Sequence, residues 1–158
     1  MKKDISLKKI ITNKTLLFSA AAVCLTLFIF SNSIQSAPKS SASSGKIVNL
    51  FMAAAAQLNL HPDIGLVTHI IRKLAHMFEF FMQGLFIGQA FLSCEKHFKN
   101  KIVYILFFGL LTACVDEFIQ LYSIGRASMV SDIWVDFSGT VISVIFFIAG
   151  YKFKKAAK

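Results

Sequence analysis

The sequence predicts an all-α integral membrane protein with four transmembrane helices and a short interfacial or re-entrant helix between the first two. Three observations carry that fold class. Hydrophobic residues make up 56% of the 158-residue chain, 17 of them Phe, and the mean hydropathy is +0.65, which excludes an ordinary soluble domain. The apolar residues gather into stretches near the roughly 20 residues that a helix needs to cross a hydrocarbon core. The Lys residues behind the net charge of +9 flank those stretches, so anionic headgroups and topology explain them better than nucleic acid.

The first span is expected over about residues 15–30, behind a basic head of Lys2, Lys3, Lys8, Lys9 and Lys14. A signal peptide shares that pattern; Pro38 directly after Ala37 makes a cut there unattractive, and Ser33 with Ser31 offers another site. The favoured reading of the span is an uncleaved anchor. Residues 31–46 are rich in Ser, with Pro38 and Gly45, and are expected to be flexible. Residues 47–60 carry no charge and place Ile47, Leu50, Phe51, Ala54 and Leu58 near one helical face. That stretch is too short to span, which suits a helix lying in the interface. His61-Pro62-Asp63 should end it, because a residue before proline disfavours the helical region.

The remaining spans are expected over about 69–92, 102–122 and 129–151, with Gly125 making a tight turn between the last two. Four spans put twelve Lys on the side of the termini and leave Lys39, Lys46, Arg72, Lys73 and Arg126 on the other. Both termini should then be cytoplasmic, in the cell membrane of a multi-pass protein. By length the chain is one domain. A basic cytoplasmic segment, 1–14, precedes a membrane domain, 15–151, and a basic tail, 152–158. Cys24, Cys94 and Cys114 are scattered and form neither a disulfide framework nor a CxxC pair.

Ionisable groups inside apolar runs are costly and rarely kept without a role. Here they form two clusters, Arg72-Lys73-x-x-His76-x-x-Glu79 and Asp116-Glu117-x-x-Gln120, the second followed by Arg126, Asp132 and Asp136. At about 100° per residue, His69, Arg72, His76, Glu79 and Gln83 share one helical stripe. Gly109, Thr112, Asp116 and Gln120 share another, as do Ser128, Asp132, Asp136, Gly139 and Ser143. Lipid cannot solvate these faces, so the three helices must turn them toward each other. Counting about 1.5 Å per residue from the cytoplasmic flanks puts Glu79, Asp116 and Asp136 in one layer roughly 22–24 Å up. His76, Gln120 and Asp132 form a second layer above it, and Arg72, Lys73 and Arg126 form a rim.

The two clusters together, with Gly125-Arg126, Asp132, Asp136 and Gly139, resemble the VanZ-like family of small bacterial membrane proteins over nearly the whole chain. Family members often carry Tyr after the motif glutamate, where this chain has Phe80; Ser143 stands where a second Gly is common. The resemblance implies a role in low-level resistance to the glycopeptide teicoplanin or in the response to cell-envelope stress. It names a family more firmly than a reaction.

Several roles fit the polar site. In the leading one it binds a membrane lipid headgroup, a lipid-linked wall precursor or a lipoglycopeptide, through Arg72, Lys73, Gln120, Arg126, Asp132 and Asp136. In the alternative, His76 and Glu79 act as acid and base with Asp116 on a lipid-linked substrate. A purely structural ion-pair network is the plainest reading of the same charges. A proton-coupled carrier fits less well, because no matching polar cluster stands near the cytoplasmic face. Metal ligation by His76, Glu79, Asp116, Asp132 and Asp136 has suitable donor types, but no HExxH or other compact signature is present. Neither a metal site nor a cofactor is expected, and no nucleic-acid partner.

Overall fold

The computed structural model describes residues 13–94, 97–126 and 128–156. Five helices follow in order: α1 (Asn13–Ile34), α2 (Ala37–Gln57), α3 (Ile64–Cys94), α4 (Phe98–Gln120) and α5 (Val130–Ala156). No strand occurs among the described residues. Lys2, Lys3, Lys8, Lys9, Lys96 and Lys158, counted above for topology, lie outside them.

The segment expected to be flexible is helical. α2 begins at Ala37 and runs unbroken through the serines and Gly45. Pro38 starts this helix because its missing N–H falls in the first turn, where no intrahelical partner exists. The Ala37 N–H donates to the Ile124 carbonyl at 3.1 Å, tying the start of α2 to the α4–α5 turn. At its other end the Leu60 N–H reaches the Ala55 carbonyl, with Asn59 left-handed at φ 56°. That closure satisfies the last carbonyls, and Asn tolerates the conformation better than most residues. At 21 residues α2 is one continuous helix, longer than the short helix expected.

Asp63 opens α3, its carboxylate accepting the Leu66 N–H at 2.8 Å. α3 is the centre of the bundle and packs on all four other helices. Its contact with α5 depends on small residues. A Cβ at Gly139 would strike the Met77 carbonyl oxygen, and one at Gly84 would strike the Ser143 side chain. α4 approaches α5 in the same way, Gly109 against Thr140. Close backbone approach of this kind holds helices together where lipid supplies no hydrophobic drive.

Among the described residues, three helical segments are long and apolar enough to cross a membrane: Asn13–Ile34, Lys99–Gln120 and Val130–Phe153. They fit a multi-pass membrane protein. α3 has the length, at 31 residues, but its polar side chains keep it from qualifying on composition. Large apolar residues face outward along the bundle, Leu16, Leu27, Phe107 and Phe146 among them. The interior is mixed. An apolar cluster of Ala22, Ile87, Ile105, Val144 and Phe147 fills one end. The other end, beside the α4–α5 turn, is where the buried polar residues collect.

Candidate functional site

At this turn end a cavity of about 230 Å³ opens between α3, α5 and the α4–α5 turn. α3 contributes His69, Arg72, Lys73 and His76; α5 contributes Asp132 and Asp136. Gln120 closes it from α4, and Gly125 and Arg126 from the turn. Gly125 takes φ +75°, the left-handed conformation a tight turn needs and one that glycine adopts without strain. The turn thereby carries Arg126 back over the bundle, where its Nη2 donates to the Asn32 carbonyl at 3.0 Å. Burial, then the charge of Arg72, push this guanidinium below its ordinary pKa, while Asp116 and Glu117 hold it up.

The rim is not three equivalent cations. Lys73 Nζ lies 2.7 Å from Asp132 Oδ1, so each neutralises the other. Arg72 and Arg126 both keep a buried Nε without a partner. Neither forms an ion pair among the described residues.

Below the rim the acids differ in their support. Asp116 is wholly buried; its Oδ2 accepts from Gln120 Nε2 at 2.8 Å and its Oδ1 has no partner. Asp136, 4% exposed, accepts no hydrogen bond that the described residues offer. Glu79 Oε1 accepts from Asn32 Nδ2 at 3.1 Å, and its Oε2 stands 3.8 Å from His76 Nδ1. One donor atom each of His76, Asp116 and Asp136 lies within 4.8 Å of the other two. His76, rather than Glu79, completes the layer with these aspartates. The depth count had set His76 about one turn above these aspartates, a spacing that unequal helix tilts can blur.

Further along, Gln83 is buried and its Nε2 donates to Thr26 at 2.7 Å and Thr112 at 3.1 Å, joining α1, α3 and α4. Of the residues named for the site, Arg72, Lys73, His76, Gln120, Arg126, Asp132 and Asp136 line the cavity; Glu79 and Asp116 do not, and they stand beside His76 and Gln120. Two contributors were missed. Asn32 and Ser33, at the end of α1, hold Glu79, Arg126 and Ser123. Their signal was the polar Ser31-Asn32-Ser33 exit from an apolar run, read above as part of the flexible Ser-rich segment. Glu117, which points off the α4 stripe and was expected to serve another helix or the interface, accepts the Met129 N–H just before α5, and its carbonyl accepts from Ser128 at 3.1 Å. It fixes the start of α5, and so Asp132 and Asp136.

The VanZ/LLP1 family model matches residues 16–151. No curated protein and no solved structure matches the chain. The match covers all five helices, and the chain belongs to the VanZ/LLP1 family.

Proposed function

We propose that this protein spans the bacterial cell membrane four times, with both termini cytoplasmic and the cavity open to the outside. There it binds the anionic group of a lipid-linked wall precursor or of a lipidated glycopeptide, and so lowers susceptibility to teicoplanin. One observation carries the reading: Arg72 and Arg126 line the cavity, each with a buried Nε that has no partner and neither in an ion pair among the described residues. A planar fork of donors suits phosphate or carboxylate, and a buried one left unpaired is held ready for an anion. Lys73 and Asp132 close that side as a pair.

The other elements take places in the same scheme. α3 is the fourth span, its polar face sheltered by α1, α4 and α5. α2 lies at the outer interface with Ile47, Leu50, Phe51 and Leu58 exposed toward lipid. α1 is retained, because cutting near Ser33 would remove the groups that hold Glu79 and Arg126. Expression of the wild type should raise the teicoplanin concentration needed to inhibit cells. Arg72→Ala should abolish that gain, and Glu79→Gln should keep most of it. Equal susceptibility with and without the wild type removes the resistance role.

A second reading, an enzyme acting on a lipid-linked substrate, is favoured by the approach of His76 to Glu79 at 3.8 Å beside Asp116. It predicts the reverse order of effects. His76→Ala or Glu79→Gln would abolish the activity while ligand binding persists.

A further inference from the structure

We propose that His76, Asp116 and Asp136 form a binding site for one divalent cation of the Zn²⁺ or Mn²⁺ class. The three side chains come from α3, α4 and α5, and their donor atoms converge within 4.8 Å. Donors sharing a cation at about 2.0–2.2 Å from each stand roughly 3–4 Å apart, so small side-chain rotations close the triangle. One imidazole with two carboxylates suits these ions better than Ca²⁺ or Mg²⁺, which favour all-oxygen shells.

Proximity alone would not make a site. The second observation is that the donors are left free. Asp136 is buried, lines the cavity and accepts no hydrogen bond among the described residues. Asp116 has one oxygen anchored by Gln120 and the other sealed without a partner. His76 Nδ1 stands 3.8 Å from Glu79 Oε2, neither atom has a hydrogen-bond partner, and Asn32 holds the other oxygen of that carboxylate. A carboxylate behind a ligating histidine fixes its tautomer and orientation in known metal centres.

Charge balance points the same way. By formal count Glu79, Asp116, Glu117, Asp132 and Asp136 outnumber Arg72, Lys73 and Arg126 by two among the described residues around the cavity. A single divalent ion matches that excess. It would also shield the acids from an anion held by Arg72 and Arg126, but the site does not rest on that ligand.

The test uses the full-length protein in nanodiscs, stripped with EDTA and dialysed against Zn²⁺, with no lipid-linked or antibiotic ligand present. Elemental analysis should find one retained equivalent per chain. Co²⁺ as a probe should give the visible d–d bands of a bound ion. His76→Ala and Asp136→Asn should lose stoichiometric uptake, Glu79→Gln should weaken it about tenfold as a positioning residue, and His61→Ala should leave it unchanged. Failure of the wild type to retain Zn²⁺ or Mn²⁺ overturns the site, with protons then balancing the acids. Wild-type uptake in both His76→Ala and Asp136→Asn also overturns it. Should those variants not fold, the wild-type stoichiometry and the Glu79→Gln affinity still decide.

Discussion

The two ends of the bundle are built on opposite principles. At the end away from the α4–α5 turn, Ala22, Ile87, Ile105, Val144 and Phe147 interlock, with Gly88 admitting the Phe147 ring. At the turn end the interior is charged, and the sealed polar atoms without partners lie there or at the level of Gln83 and Thr140. An unsatisfied buried polar atom costs about 1–3 kcal/mol, so the turn end is a net drain on stability that the far end must offset. The difference separates what holds the molecule together from what it is for. Mutations should sort accordingly.

The largest effect is expected where both ends share one contact. In Gly139→Leu the new side chain meets the Met77 backbone carbonyl, which cannot rotate away as a side chain would. The cost should reach or exceed the upper range of overpacking, about 3 kcal/mol, and little folded protein should survive detergent extraction. A near-normal yield of monodisperse protein would mean that α3 and α5 are not in close contact.

Next comes Phe147→Ala, confined to the far end. Truncating this nearly buried ring removes its contacts with the apolar cluster and should cost about 3 kcal/mol. Thermal unfolding should start markedly lower, while cation uptake at the turn end persists below the new midpoint. Asp136→Asn should do the reverse. Replacing an unpaired buried carboxylate by a neutral amide removes a charge the bundle does not solvate, so the metal-free variant should gain about 1 kcal/mol. Zn²⁺ should then raise the wild-type midpoint and not that of the variant. A metal-free Asp136→Asn less stable than the metal-free wild type would show that the carboxylate is already satisfied, and the contrast between the ends would weaken.

The same contrast explains how far the sequence could be read. Helical periodicity placed Arg72, His76, Asp116, Gln120, Asp132 and Asp136 on facing stripes, because lipid leaves polar faces only one direction to turn. Depth was less legible: counting from charged flanks treats every helix as upright, and His76 is the donor that meets the two aspartates. Pro38 and the serines misled because Pro breaks a helix interior but suits a first turn, and the sequence alone does not say which position it holds. Asn32 and Ser33 act through their own carbonyls, which accept from Arg126 and Ser123, and Glu117 accepts from the Met129 backbone N–H; no local spacing records such contacts.

The smallest effect tests whether the ends are separate at all. Asp63 caps α3 from outside the site, its carboxylate accepting the Leu66 N–H. Asp63→Ala should cost about 1 kcal/mol, the usual worth of such a cap. Because α3 runs on for many turns past this point, the loss should stay in its first turns. Hydrogen exchange should quicken over residues 64–68 and remain slow around Ile87, where α3 is locked against α5. Faster exchange spreading along all of α3 would mean that the helix opens as one unit. The far end would then no longer insulate itself from strain at the site, and stability and function would have to be assigned to the bundle as a whole.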